Sequence, residues 1–131
     1  MDYSFIDTLK FDDKGLIPAV CVDHETNEVL MVAYMNKDSL KETMDKKLCS
    51  FWSRSRQKFW VKGETSGHTQ EVKEIRTDCD SDTLVIKVKQ NGAACHKGFY
   101  SCFYKVIDEN GNIIEDGKKV FNPEDVYKDK K

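Results

Sequence analysis

The sequence predicts a single α+β domain, built on a strand-rich mixed or antiparallel sheet with one main helix. From residue 49 onward, apolar residues recur at close to every second position, which is typical of strands. Only residues 36–48 show the three- or four-residue spacing of a long amphipathic helix. Short turns join most of the predicted strands, which favours α+β over a doubly wound fold. We expect one domain over residues 1–131, because this length leaves no room for a second.

The N-terminal half is predicted to contain two strands followed by the helix. Residues 17–22 and 29–35 are β-branched and apolar runs, and the polar residues 23–27 between them indicate a turn. Asn36 is a suitable helix N-cap, and the helix is expected to end near the two lysines at residues 46–47, where cations interact favourably with the helix dipole. The apolar face of this helix comprises Leu40, Thr43, Met44 and Leu48.

The C-terminal half is predicted to consist mainly of strands. The two-residue period predicts strands at residues 51–62, 69–77, 83–89 and 100–107. Turns are expected at residues 91–92 and 108–111, the second of which leads to the isoleucines at residues 113–114. Residues 122–124, Asn-Pro-Glu, predict the start of a short terminal helix, and the tail at residues 128–131 is expected to fray.

Composition excludes several classes of protein. The chain has 21 Lys and Arg against 23 Asp and Glu, so its net charge of -2 excludes a strongly cationic nucleic-acid-binding protein. It has no apolar run near the roughly 18 residues of a membrane span and no N-terminal export signal, so a cytoplasmic protein is expected. Five cysteines, an odd number, then favour thiol or metal chemistry over disulfides.

An acidic segment at residues 78–82 is the strongest local signal of a metal site. If this segment is extended, Asp78, Asp80 and Asp82 share one face and Cys79 points to the other. Three neighbouring carboxylates repel one another unless a cation or several donors neutralise them. Oxygen ligands of this kind suit Mg²⁺. The alternative is an acidic turn that faces solvent.

The cysteines predict a second, softer metal site. Cys95 follows the turn at residues 91–92 and Cys102 lies on the returning strand, so both could approach Cys79 at one end of a sheet. Three thiolates would leave a fourth zinc position open for water, as in a catalytic site. Alternatively, these cysteines are small buried hydrophobes, a description that Cys21 and Cys49 fit better because they lie within apolar segments.

Histidines supply candidates for a general base near such a metal. His96 is adjacent to Cys95, and its ordinary pKa lets an imidazole exchange a proton near neutrality. His68 is the second candidate, and His24 is expected on the surface of a turn. A histidine beside a cysteine is also commonly a metal ligand or a polar bystander, so the catalytic role of His96 is a hypothesis.

Residues 52–62 carry an unusual pattern of cations and indoles. If they form one strand, a single face presents Trp52, Arg54, Arg56, Lys58, Trp60 and Lys62. Arginines suit phosphates and an indole suits a base, so this face could bind a nucleotide or a single-stranded nucleic acid. A plain edge strand with charges that discourage aggregation is the alternative. The loop at residues 63–67 lacks the spacing of a Walker motif but could offer backbone N–H groups to a phosphate.

Five motifs, taken in order, resemble the phosphoribosyl-AMP cyclohydrolase family over roughly residues 10–105. They are VLMVAYMN at residues 29–36, WSRSR at 52–56, WVKGETSGH at 60–68, DCDSD at 78–82, and ACHKG at 94–98 followed by SCF at 101–103. The chain departs from the family at Lys97, where threonine is usual, and at Phe51, where tyrosine is common. The lysine could alter the charge near the site.

The resemblance implies a zinc- and magnesium-dependent hydrolase of histidine biosynthesis. Its zinc-activated water opens the adenine ring of N1-(5-phosphoribosyl)-AMP between N1 and C6, giving the formimino-AICAR ribonucleotide. An intertwined homodimer is implied, acting on a small nucleotide rather than on nucleic acid or a membrane. Some relatives carry a fused pyrophosphohydrolase, and this chain is expected to be monofunctional. A noncatalytic zinc-stabilised module that binds a nucleotide or a single-stranded nucleic acid is the alternative. A cytidine-type deaminase is excluded because this sequence lacks the H-x-E and P-C-x-x-C motifs of those enzymes.

The resemblance also implies roles for individual residues. Zinc would be held by Cys95 and Cys102 with Cys79 supplied by the opposite subunit, and magnesium by Asp78, Asp80 and Asp82. His96 would accept or relay the proton of the water, with His68 as the alternative. The expected substrate-binding residues are Trp52, Arg54, Arg56, Trp60, Lys62, Ser66 and Gly67, of which Arg54, Arg56 and Lys62 would hold the two monophosphates.

Overall fold

The central element of the fold is a four-stranded mixed sheet. The computed structural model describes residues 2–121, so the predicted terminal helix at residues 122–124 and the tail at 128–131 lie outside the described residues. The strands are β1 (Ile17–Asp23), β2 (Val29–Met35), β5 (Gln70–Thr77) and β6 (Leu84–Gln90), in the order β2-β1-β6-β5. Strands β1 and β6 are parallel and the other pairs are antiparallel, which confirms a mixed sheet.

The predicted helix is present as α1 (Lys37–Lys46). Asn36 caps it as predicted, because its side-chain oxygen accepts the backbone N–H of Ser39 while the Ser39 hydroxyl accepts that of Asn36. Lys47 ends the helix in the left-handed conformation, with φ of 58°. The buried hydroxyl of Thr43 accepts the backbone N–H of Ser50, so the helix is tied to the strand that follows it. The sequence thus predicted both the helix and its boundaries.

The segment predicted as one strand at residues 51–62 is instead a hairpin, so that prediction was wrong. Strands β3 (Ser50–Ser53) and β4 (Lys58–Val61) are antiparallel, and residues 54–57 turn the chain between them. Gln57 adopts the left-handed conformation, with φ of 54°, in this turn. The turn residues carry no apolar side chain, so no burial offsets the cost of holding them extended.

The hairpin separates the two indoles that the sequence placed on one face. Trp60 lies opposite Phe51, and Trp52 lies opposite Phe59. Because directly opposite residues share a face and neighbours alternate, Trp52 and Trp60 project from opposite faces of the hairpin. The predicted continuous face of cations and indoles is therefore not formed.

Two further segments differ from their predicted extended form. Residues 78–82 form a tight turn between β5 and β6, in which Ser81 has a φ of 59° and its N–H donates to the carbonyl of Asp78 at 3.1 Å. Of the strand predicted at residues 100–107, only Lys105–Ile107 is extended, as β7, and it pairs with β8 (Ile113–Glu115). A short 3₁₀ helix, Ser4–Thr8, was not predicted.

The core lies between the sheet, the helix and the β3–β4 hairpin. Cys21 and Cys49 are fully buried in it and belong to the same apolar cluster, which confirms that they fit the role of small core residues. No helix within residues 2–121 is long and apolar enough to cross a membrane. Other fully buried core residues are Ile17, Ala19, Leu30, Met35, Leu40, Phe51, Leu84, Ile86 and Val88.

Candidate active site

Two of the three cysteines predicted as zinc ligands meet in the structure. Cys95 lies in a turn closed by the N–H of Gly98, which donates to the Cys95 carbonyl at 3.0 Å. The thiol of Cys102 lies near that of Cys95, and the two interact electrostatically. Desolvation of the Cys102 sulfur, with a smaller contribution from Cys95, raises the pKa of Cys102 to about 11, and nearby Lys62 opposes the shift. A soft cation that takes both sulfurs as thiolates would relieve this cost.

Cys102 is held against the edge of the central sheet. Its backbone N–H donates to the carbonyl of Leu30 on β2 at 2.7 Å. The hydroxyl of the preceding residue, Ser101, donates to the carbonyl of Val29 at 2.6 Å. These bonds fix the sulfur relative to the sheet although residues 100–104 form no strand.

Cys79 lies apart from that pair. Its side chain is exposed, and its sulfur lies 3.5 Å from an oxygen of Asp80. Within residues 2–121, the sulfurs of Cys79, Cys95 and Cys102 do not form a group whose ligand atoms all lie within 4.8 Å of one another. One copy of the chain therefore brings together two of the three expected zinc ligands.

The predicted magnesium ligands converge even though their segment is a turn. One oxygen from each of Asp78, Asp80 and Asp82 lies within 4.8 Å of the others, and all three residues are exposed. A hydrogen bond with Asp78 and the adjacent negative charges raise the pKa of Asp82. The pKa of Asp78 is lowered because hydrogen bonds from Asp82 and from backbone N–H groups outweigh its desolvation. The neighbouring carboxylates therefore influence one another's protonation, and a bound cation would compete with a proton on Asp82.

A hollow of about 500 Å³ opens beside the Cys95–Cys102 pair. Its lining includes Arg56, Trp60, Lys62, His96 and Cys102. The amine of Lys62 donates to the carbonyl of Ala94 at 2.5 Å, and burial lowers the pKa of this lysine. The hollow therefore combines an aromatic wall, two cationic residues, an imidazole and a thiol, which are suitable groups for binding and hydrolysing a nucleotide base.

The two histidines proposed as bases have different surroundings. His96 is exposed and lines the hollow together with Cys102. His68 is half-buried, and its Nδ1 accepts the backbone N–H of Ala93 at 3.2 Å. The ring of His68 also packs so closely on Gly92 that a Cβ there would lie 2.8 Å from the ring. The geometry thus favours His96 as the group that reaches a substrate, and His68 as a support of the turn.

Two more hollows adjoin Trp60. One, of about 600 Å³, is lined by Lys14, Tyr34, Trp52, Arg54 and other residues, and the guanidinium of Arg54 lies 4.0 Å from the centre of the Tyr34 ring. Sequence reasoning missed Lys14 and Tyr34, although Tyr34 lies within the motif at residues 29–36.

The smaller of these two hollows measures about 160 Å³. Arg56 and Ser66 are among the residues that line it. Gly67, expected to contact substrate, donates its N–H to the carbonyl of Gly63 at 2.7 Å. Apart from Gly67, the predicted substrate residues therefore line more than one hollow around Trp60 rather than one strand.

Comparison with known sequences identifies the family. A sequence model of phosphoribosyl-AMP cyclohydrolases matches residues 31–104. The chain is 55% identical to the phosphoribosyl-AMP cyclohydrolase of Chlorobium phaeovibrioides over 97% of its own length and 93% of that protein. It is 53% identical to the enzyme of that name from Chlorobium phaeobacteroides and 54% identical to the one from Prosthecochloris aestuarii, over 95% of its length and 90% of each relative. The chain therefore belongs to the phosphoribosyl-AMP cyclohydrolase family.

Proposed function

We propose that the chain hydrolyses N1-(5-phosphoribosyl)-AMP at the N1–C6 bond of its adenine ring, giving the formimino-AICAR ribonucleotide of histidine biosynthesis. The main support is the hollow that places His96, Lys62 and Trp60 beside the Cys95–Cys102 pair in a member of this family. A base, an aromatic wall and a pair of soft ligands are the groups that hydrolysis of an electron-poor ring needs. The ribosyl group on N1 gives the ring amidinium character and makes C6 electrophilic.

The donor atoms fit the metals that we propose. Cys95 and Cys102 suit a zinc ion, and we assign the third sulfur to Cys79 of a second copy in a homodimer, because Cys79 of the same copy lies apart. When bound, zinc supplies a Lewis acid that lowers the pKa of water. The three aspartates fit a hard ion such as Mg²⁺.

The hollows around Trp60 suit a substrate with a phosphate at each end. Arg54 and Arg56 line different hollows, so we assign each to one monophosphate. The indole of Trp60 adjoins both hollows and can pack against a ring between them. Ser66 adds a hydroxyl to the hollow of Arg56. Trp52 also contributes to the hollow of Arg54.

His96 is the group that we expect to move the proton. It is exposed to the hollow, whereas Nδ1 of His68 already accepts a backbone hydrogen bond. A general base at this position would take a proton from the attacking water and could return it to N1 as the ring opens.

An absorbance assay tests the activity directly. The purified protein is incubated with N1-(5-phosphoribosyl)-AMP, with and without a chelator and added Zn²⁺, and AMP serves as the control substrate. We expect a change in the chromophore with the ribosylated nucleotide alone, its loss with chelator and its return with Zn²⁺. Binding of the nucleotide without any spectral change in the metal-loaded protein would contradict hydrolysis and support a noncatalytic binding module.

The substitution His96→Ala should lower kcat by about 10²- to 10⁴-fold while bound zinc is retained, because a general base contributes to rate and not to metal affinity. The matched variant His68→Ala should have a lower melting temperature and only a small change in kcat, since the ring of His68 supports Ala93 and Gly92. Steady-state kinetics and metal analysis of both variants check this. An unchanged kcat in His96→Ala would transfer the role of base to His68.

A further inference from the structure

Lys62 is a half-buried cation whose surroundings do not match those of a surface phosphate ligand. It follows β4 directly, and its amine donates to the carbonyl of Ala94 at 2.5 Å, across 32 positions of sequence. Ala94 is itself almost fully buried and immediately precedes Cys95. The bond therefore ties the end of the hairpin to the turn that carries one of the two paired sulfurs.

The charge of Lys62 also faces sulfur. Its amine interacts electrostatically with Cys102, Cys21 and Cys95, and it also lies 5.8 Å from the centre of the Trp60 ring. By contrast, Arg54 lines a hollow to which neither cysteine of the Cys95–Cys102 pair contributes. Two thiolates bound to one divalent ion, with a third arriving from a second copy, carry more negative than positive charge, and an adjacent ammonium offsets the excess.

We propose that Lys62 is a positioning residue for the Cys95–Cys102 metal centre, which fixes the turn at Ala94 and balances the charge of the thiolates, rather than a ligand of a substrate phosphate. The proposal rests on the proposed zinc site. It differs from the role that the sequence predicted for this lysine, and the two roles change different measured quantities. Loss of a phosphate ligand raises KM, whereas loss of an outer-shell partner weakens the metal site.

The test compares Lys62→Met, which keeps the length and apolar stem of the side chain, with Lys62→Arg, which keeps the charge. Lys89→Met, at an exposed lysine on β6, is the matched control. Zinc affinity is measured by competition with a chromophoric chelator, and Co²⁺ is added to the metal-free proteins to record the sulfur-to-metal charge-transfer band. We expect Lys62→Met to lose about 10- to 100-fold in zinc affinity and to shift the Co²⁺ band. Lys62→Arg should recover part of the affinity, and Lys89→Met should match the wild type.

The opposite outcome overturns the proposal. If Lys62→Met binds zinc and Co²⁺ as the wild type does while its KM rises, Lys62 is a phosphate ligand. If Lys62→Met does not fold, Lys62→Gln, which keeps a hydrogen-bond donor but lacks the charge, takes its place. An unchanged zinc affinity of Lys62→Gln would also overturn the role of Lys62 in charge balance. Absence of the sulfur band in the wild-type protein would instead disprove the zinc site, so the two failures are distinguishable.

Discussion

The substitution Cys95→Ala should abolish both bound zinc and turnover while the domain remains folded. Cys95 provides one of the two sulfurs that meet beside the hollow. Without it, the site keeps only Cys102 and one sulfur from a second copy, which is fewer than the three protein ligands of a catalytic zinc centre. Metal analysis of the purified variant should find its zinc reduced from about one ion per chain to near none. Activity should not return when Zn²⁺ is added, unlike in chelator-treated wild type.

The matched control is Cys49→Ala. This thiol is fully buried in the core and contacts Cys21, so its loss should lower the melting temperature but leave zinc and turnover in place. Circular dichroism of both variants separates loss of metal from loss of fold. A Cys95→Ala protein that turns over substrate without zinc would disprove the assignment of this sulfur.

Activity should reappear when two inactive chains are combined in one dimer. Cys79 lies apart from Cys95 and Cys102 in a single copy, so we expect each site to use Cys79 from the other copy. A heterodimer of Cys79→Ala and Cys95→Ala chains then has one site with all three sulfurs and one site with a single sulfur. Isolated by two different affinity tags, it should show about half the wild-type activity, although each variant alone is inactive.

A second heterodimer provides the control for this complementation. Chains with Cys95→Ala and Cys102→Ala both lack a sulfur of the paired set, so neither of the two sites in their heterodimer is complete and activity should stay absent. If each site were formed within one chain, the Cys79→Ala and Cys95→Ala heterodimer would be inactive as well. That result, or an active Cys79→Ala homodimer, would refute a shared site.

The elements that the sequence predicted correctly are those with a local physical cause. The apolar runs of β1 and β2 and the cap and spacing of α1 decide their structure within a few residues. The strand predicted at residues 51–62 was wrong because the polar side chains around its arginines fit a two-residue period as well as a turn. The packing of Phe51 against Trp60, which forms only in the folded chain, favours the hairpin. The extended conformation predicted for residues 78–82 was wrong for a similar reason. No buried side chain in this acidic segment stabilises an extended backbone.

The candidate site was predictable as a set of residues but not as an arrangement. The aspartates converge as expected, although through a turn. Cys102 and His96 line one hollow, and Cys95 lies near Cys102. No local pattern could show that Cys79 lies apart or that the amine of Lys62 reaches a carbonyl 32 positions away, because both depend on how the hairpin and sheet pack.

The attachment of Cys102 to β2 has a consequence outside catalysis. β2 is an outer strand of the central sheet, and the outward backbone carbonyls of such a strand are a template onto which a foreign strand could add. The carbonyls of Val29 and Leu30 are instead occupied by Ser101 and Cys102. The segment that carries the proposed zinc-binding sulfur thus also covers the start of this outer strand, so order at the proposed metal site and resistance to intermolecular β-augmentation there depend on the same two hydrogen bonds.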